Sequence, residues 1–438
     1  MTSRARALVA RVPDERDRFA DLLRVGAIVM VVLGHWMVAV VLTNDELRAQ
    51  QLLAVEPWTR PLTWVFQVMP VFFYVGGYVN VASYRRSLSR GESWTRWVRR
   101  RAMRLLGPLV PVLGLWLPTA VVFAVLGLSE DLIERAVETA LLPVWFLVVY
   151  LIAISLVPLS VWLHERFGAW VLAVTSLLLI VVDRLEMAGV PVVGYLNYGL
   201  VWLSVHQLGY LWADGRLPTR PWTRAALGAA AGAVTVALVR FADYPVSMVA
   251  VWGEQHSNTD PPSVTLWTFA LAQIGLLMAM QGPLRRLLQR PAVYAPIVLL
   301  GSVVLTIFLW HMTALVLTTT LAYPTGLLPA ATEIDATWWL YRPLWLLLCS
   351  LVLAGLVALF RRFEQVTPPV PRAHRWRTIL SLLATVVGLA LLMIGGVYDP
   401  DRTAGVPLAV LGVLAVGLGG LGVLRQPKQV VREASDER

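Results

Sequence analysis

Of 438 residues, 58% are hydrophobic and only 15% charged, and the charges fall in short clusters between long apolar stretches. That excludes an ordinary soluble domain, whose surface needs far more charge. The net charge of +10 reads as the arginine excess of cytoplasmic loops, so no nucleic-acid partner is expected.

Residues 1–18 form a basic N-terminal tail, expected to be flexible, with Arg4, Arg6, Arg11, Arg16 and Arg18. It leads into an apolar segment with no clean cleavage site, the pattern of an uncleaved signal anchor. Apolar runs predict twelve spans at 22–42, 62–84, 105–128, 141–163, 168–183, 195–213, 225–240, 264–281, 298–321, 338–360, 378–397 and 405–424. The fifth and seventh are short, so ten or eleven spans are the alternatives. The predicted fold class is an all-α polytopic transmembrane helix bundle of about twelve spans. A ten-helix core over residues 19–363 is followed by a Pro-rich cytoplasmic linker (364–377), two extra helices (378–424) and a cytoplasmic tail (425–438). With both termini cytoplasmic, the inside loops collect most of the arginines. The 85–104 loop alone holds Arg85, Arg86, Arg90, Arg96, Arg99, Arg100, Arg101 and Arg104. Glu130, Asp131, Glu134, Glu138, Glu333 and Asp335 fall outside. One alternating orientation satisfies the positive-inside bias through all twelve spans, so a multi-pass protein of the cytoplasmic membrane is expected. The arginine bias (Lys428 is the only lysine) fits a GC-rich bacterial genome, and the single cysteine, Cys349, permits neither an intrachain disulfide nor a cysteine metal site.

Ionisable groups inside spans are costly and mark functional positions. His35, His206 and His311 lie inside spans; His164 and His374 fall in cytoplasmic loops and His256 in an external one. In the first span Arg24 lies near the cytoplasmic end and His35 eleven residues further, roughly 16 Å along the helix and midway through the hydrocarbon. Asp21 and Arg24, three apart, can pair on one helix face. Gly34 beside His35 lets another helix or a substrate approach closely. A neutral imidazole at that depth suits general-base work on a hydroxyl; the alternative is a histidine merely hydrogen-bonded to a neighbouring helix. Arg101 and Arg104 share a helix face at the cytoplasmic boundary and could grip phosphates, though positive-inside topology alone would also place arginines there. Three intramembrane histidines could in principle hold zinc, but no carboxylate pattern that would orient them is readable, and no metal is expected.

Together these pieces resemble the acyltransferase-3 family of multi-span membrane proteins that O-acylate surface glycans, lipids and related acceptors. Asp21, Arg24 and His35 match the family's opening stretch with its Arg-x10-His spacing, and Arg101-Ala102-Met103-Arg104 matches its Arg-x-x-Arg motif at the start of the third helix. Phe72-Phe73-Tyr74-Val75-Gly76-Gly77-Tyr78 is similar to its Phe-Phe-x-x-Ser-Gly-Phe/Tyr segment, with Gly76 in place of the usual Ser. Trp145-Phe146-Leu147 and Leu309-Trp310-His311 also fit, and the resemblance covers roughly residues 18–360. It implies acyl transfer, most simply of acetyl, from a cytoplasmic acyl-CoA co-substrate to a hydroxyl of a cell-envelope glycan, glycolipid or small exported metabolite, with no bound cofactor. On that resemblance Arg101 and Arg104 hold the donor's phosphates, Arg24 positions the donor with Asp21 orienting it, and His35 is the general base or a transient acyl carrier. Tyr74, Trp145, His206 and His311 are the candidates to line the cavity.

The rival readings are a secondary transporter and a membrane protein that binds lipid or glycan without acyl transfer. Against the first, the loop after the second span is Arg-rich and lacks the Gly/Asp turn common in twelve-span carriers, and no matching halves are visible.

Overall fold

The computed structural model describes residues 2–10, 12–13, 15–44, 46–127, 129–190, 192–329, 331–365, 370, 374–399, 402 and 405–424. Helices of seven or more residues, in chain order, are α1 (Thr2–Val9), α2 (Arg18–Val38), α3 (Met69–Ser89), α4 (Trp94–Leu106), α5 (Leu109–Val125) and α6 (Glu130–Leu141). Next come α7 (Val144–Ser155), α8 (Val157–Phe167), α9 (Trp170–Met187), α10 (Leu196–Ala213), α11 (Pro221–Phe241) and α12 (Val264–Ala279). The last are α13 (Gln281–Leu287), α14 (Pro291–Gly301), α15 (Val304–Ala322), α16 (Arg342–Phe360), α17 (Arg375–Ile394) and α18 (Leu408–Leu421). A hairpin of β1 (Ala39–Asn44) and β2 (Glu46–Gln51) is the one sheet among the described residues. The fold is an all-α polytopic bundle. Apart from Val370, the Pro-rich stretch at 367–371 lies outside the described residues, as does the tail at 425–438.

Every predicted apolar stretch carries a helix, but its boundaries follow local chemistry. Asp17 starts α2 by accepting from the backbone N–H of Phe19 (2.9 Å) and Ala20 (3.2 Å), satisfying donors that a helix start otherwise leaves open. The stretch predicted to run to 42 is helical only to Val38, because Val40, Val41 and Thr43 are β-branched and enter the hairpin instead. The second half of the stretch predicted as the 85–104 loop is helical and forms α4, and Gly107-Pro108 then separates it from α5, the third predicted stretch, with a bend of 47°. Between α8 and α9 the chain turns through 113° at Gly168, whose φ of +56° suits a residue without Cβ.

Among the described residues seven helices are long and apolar enough to cross a membrane, or ten if each of three bent pairs makes one crossing. The two remaining predicted spans correspond to α10 and α18. α10 has the length but carries Asn197, Ser204, His206 and Gln207, all buried; α18 has 14 residues, about 21 Å of helix against a hydrocarbon core of about 30 Å.

Small residues set the closest helix contacts. A Cβ on Gly77 (α3) would stand 1.9 Å from the carbonyl oxygen of His206, and one on Gly209 (α10) 2.3 Å from that of Tyr74. Gly228 and Gly275 bring α11 and α12 together in the same way. With no hydrophobic driving force between helices in lipid, such close backbone approach is what holds them. α17 and α18 pair with each other and pack on α4 and α7.

Candidate active site

Inside the bundle two histidines 276 residues apart meet. His35 on α2 and His311 on α15 lie nearly parallel, with an interplanar angle of 18°, and His35 Nδ1 is 2.8 Å from His311 Nε2. The other nitrogen of His311, Nδ1, is 2.5 Å from the Phe308 carbonyl oxygen. A carbonyl can only accept, so His311 Nδ1 carries a proton and its neutral Nε2 offers a lone pair. His35 Nδ1 must then donate to it, which leaves the lone pair of His35 on Nε2. The tautomers follow from this network. His311 is buried and His35 half-buried.

Indoles fix the surrounding backbone. Trp36 Nε1 donates to the His311 carbonyl oxygen (3.0 Å), Trp345 Nε1 on α16 to that of Trp36 (2.9 Å), and Trp116 Nε1 to Thr313 Oγ1 (3.0 Å). At the start of α15 the Glu364 carboxylate accepts from the N–H groups of Leu305 (3.1 Å) and Thr306 (2.8 Å) and from Thr306 Oγ1 (2.7 Å). An acid at a helix N-terminus meets both the open donors and the dipole, so Glu364 pins the helix that presents His311.

At the other end of α2, Asp21 is paired mainly with a residue outside the expected set. Arg16 Nε and Nη2 approach its two oxygens at 2.6 and 3.0 Å, and the Tyr294 hydroxyl donates to it at 2.7 Å. Arg24 Nη2 is 3.5 Å away, the outer edge of a hydrogen bond, and Arg24 Nε has no partner among the described residues. Arg24 keeps an ion pair with the carboxylate expected to orient it, but a longer one than Arg16 makes. It interacts electrostatically with Arg101 of α4 and with the Tyr150 hydroxyl of α7, which also senses Arg101. Arg101 is half-buried and Arg104 exposed, so the two do not present equally.

Several other arginines on this side are paired with acids. Arg100 is bound to Glu92, including a 2.8 Å contact from Nη2, and Arg85 meets Asp214 at 2.5 Å. Arg285 meets Asp17 at 2.6 Å. The Arg100 hydrogen bond holds the Glu92 carboxyl below the usual glutamate range, against the upward push of burial. Among the described residues neither Arg101 nor Arg104 has an acidic partner.

An aromatic chain connects the two ends. Tyr150 stacks on Phe146 (5.3 Å), Phe146 meets Phe308 edge-on (5.1 Å), and Phe308 lies 5.8 Å from His311. Trp145 flanks this chain, 6.4 Å from Phe146 and 6.2 Å from Trp202. Asn80 Nδ2 contacts the Tyr150 hydroxyl (3.3 Å) and His206 Nε2 (3.2 Å), so Asn80 links His206 to the chain. Tyr74 points elsewhere: it stacks on Trp212 at 5.2 Å, and its buried hydroxyl has no hydrogen-bond partner among the described residues. At Gly76 a Cβ would lie 2.8 Å from the Tyr150 ring and hydroxyl. The tyrosine thus fills the space of the missing serine, a trade invisible without the fold.

Among the described residues no three His, Cys, Asp or Glu side chains come together as a metal site. Neither a curated protein nor a solved structure matches the chain. The family profile described as an acyltransferase domain, acyltransferase-3, matches residues 17–361 and so contains the histidine pair, Arg24, Arg101, Arg104 and Tyr150. This multi-pass membrane protein belongs to the acyltransferase-3 family.

Proposed function

We propose that the chain transfers an acyl group, acetyl in the simplest case, from cytoplasmic acyl-CoA to a hydroxyl of a cell-envelope glycan, glycolipid or exported metabolite. The observation that carries this reading is the histidine pair, whose hydrogen-bond direction leaves the lone pair of His35 Nε2 free on a partly buried ring. The guanidiniums of Arg101 and Arg104, which have no acidic partner among the described residues, suit the phosphates of the donor through their charge and forked donors. Arg24, loosely tied to Asp21, stands between that mouth and His35 on the same helix. The expected orientation puts this end in the cytoplasm.

In the reaction, His35 Nε2 takes the proton of the acceptor hydroxyl as its oxygen adds to the thioester carbonyl carbon. The tetrahedral intermediate collapses with cleavage of the C–S bond, and the imidazolium proton passes to the departing sulfur. The products are an ester and free CoA thiol. His311 keeps the His35 ring in one tautomer and supports the charge it gains, the task a third group performs for other histidine bases.

The test is release of free CoA from acetyl-CoA by the purified protein, with and without cell-envelope extract. Release that needs extract and is lost in His35→Ala is the expected result. Absence of release from folded protein, with acetyl or longer donors, would contradict it and favour a transporter, which in proteoliposomes moves its solute unchanged.

A further inference from the structure

A groove of about 710 Å³ separates α2 from the α11–α12 pair. α2 packs on α13 at one end but hardly touches α11 or α12, and small residues, Gly26 on α2 and Gly228, Ala229 and Gly232 on α11, leave the gap open. A Cβ at Gly26 would meet nothing within 4 Å. Along α2 the wall runs from Leu22 to Met30, about 12 Å of helix and nearly half of a hydrocarbon core of about 30 Å. The turn Thr63–Phe66 closes the far end: Trp64 and Val65 line it, and Phe66 Cβ stands 3.3 Å from where Gly34 would carry a Cβ. At about 100° per residue the lining positions of α2 centre about 140° around the helix from Arg24 and His35. The groove therefore faces away from the candidate active site.

Its chemistry narrows the occupant. Among the described residues no charged side chain lines it. The donors of its polar walls are spent inside the protein: Thr235 Oγ1 on the Ala231 carbonyl oxygen (3.0 Å) and Thr268 Oγ1 (2.9 Å), Gln273 Nε2 on the Gln67 carbonyl oxygen (3.0 Å), and Trp64 Nε1 on that of Val246 (2.8 Å). A polar ligand would give up water without gaining a partner, so the groove suits hydrocarbon. A second transmembrane helix needs the full thickness of the core, whereas a groove closed near half-depth matches one chain of a lipid from a single leaflet.

The open end selects the head group. Leu22 and Leu284 mark it, where the arginine-bearing ends of α2, α11 and α13 meet. Arg285 is paired with Asp17 (2.6 Å), and Arg18 donates to the Leu288 carbonyl oxygen (3.0 Å). Arg224 donates to the carbonyl oxygen of Met278 and to Gln281 Oε1, both at 3.0 Å, and Arg286 is exposed. Neither Arg224 nor Arg286 has an acidic partner among the described residues, and surplus positive charge at a membrane surface attracts anionic head groups. We propose that the groove holds one acyl chain of an anionic phospholipid, with the phosphate at the arginine end, as a bound lipid that completes the packing of α2 and does not react. The inference stands apart from the acyl-transfer reading.

The test is native mass spectrometry of the full-length protein in detergent, with phosphatidylglycerol and phosphatidylethanolamine of identical chains supplied in equal amounts. The expected result is one phosphatidylglycerol retained in preference to phosphatidylethanolamine, by the wild type and by His35→Ala alike. Gly26→Leu and Gly232→Leu fill the groove, where a Cβ at Gly232 meets only Ala272 Cβ at 3.7 Å, and retention is expected to fall several-fold in each. Arg286→Gln, on the exposed surface, is expected to keep the lipid but lose the preference for the anionic one. Melting temperatures support the site if phosphatidylglycerol raises that of the wild type more than those of the two filled variants. No retained lipid, equal retention of both lipids by the wild type, or retention unchanged in the folded glycine variants would overturn the proposal. So would a protein dimer that dissociates in Gly232→Leu, which would place a second copy in the groove, or acyl label appearing on the retained lipid. CoA release from the same preparations keeps the two readings apart. His35-dependent release without lipid retention refutes the groove alone, and retention without release upholds the groove and contradicts acyl transfer.

Discussion

His35 owes its free Nε2 to a carbonyl oxygen on another helix. The Phe308 carbonyl fixes the His311 proton, and His311 fixes that of His35. His35→Ala is therefore expected to lower turnover by about 10²–10⁴-fold, the usual contribution of a positioned base. His311→Ala is expected to cost ~10–100-fold, the scale seen when a partner that orients a functional histidine is lost. His311→Gln, whose side-chain oxygen can still accept from His35 Nδ1, is expected to retain more activity than His311→Ala. Steady-state rates with membrane insertion checked separately would decide the order; equal activity in both His311 variants counts against an orienting role. The depth of His35 below Arg24 was legible because helix rise converts residue spacing directly into distance. Its pairing with His311, 276 residues away, was not, since nothing local to either histidine encodes it. Arg16 escaped notice for a related reason: in the sequence it is one of five arginines in a tail, and only the fold aims it at Asp21.

Helix pairs depend on glycines that periodicity does not distinguish from loop residues. Gly77→Ala and Gly209→Ala place a methyl against the backbone of the facing helix, so each is expected to cost about 1–3 kcal/mol by overpacking. Melting temperatures in one detergent would measure this, and unchanged values would contradict the packing of α3 on α10. Gly76→Ser restores the residue usual in the family but drives its Cβ into Tyr150. It is expected to lower stability and transfer together, because Tyr150 must leave Asn80 to make room. Hydrophobic runs located the helices, but a buried run reads alike as helix or strand, and so the hairpin after Val38 was missed.

Across the whole molecule, composition and motif order disclosed a membrane protein of this family, while the number of crossings depends on how bent pairs and the polar α10 lie in a bilayer. Glu92, in the loop before α4, ties the helix that carries Arg101 and Arg104 to the end of α3 by accepting from Arg100 and Ser87. The folded-state pKa of Glu92 is depressed, so the tie contributes stability above the ordinary glutamate pKa and loses it as pH falls through the depressed value. Glu92→Gln is accordingly expected to lower the melting temperature at neutral pH, with the gap to wild type closing in acid. A gap that is independent of pH would contradict an ionic tie.

The most direct measurement is transfer of isotope-labelled acetyl from acetyl-CoA to envelope material by proteoliposomes carrying wild type or His35→Ala. The account predicts base-labile label in the acceptor with the wild type and a drop of about 10²–10⁴-fold in the variant. Equal labelling by a correctly inserted His35→Ala protein would contradict it.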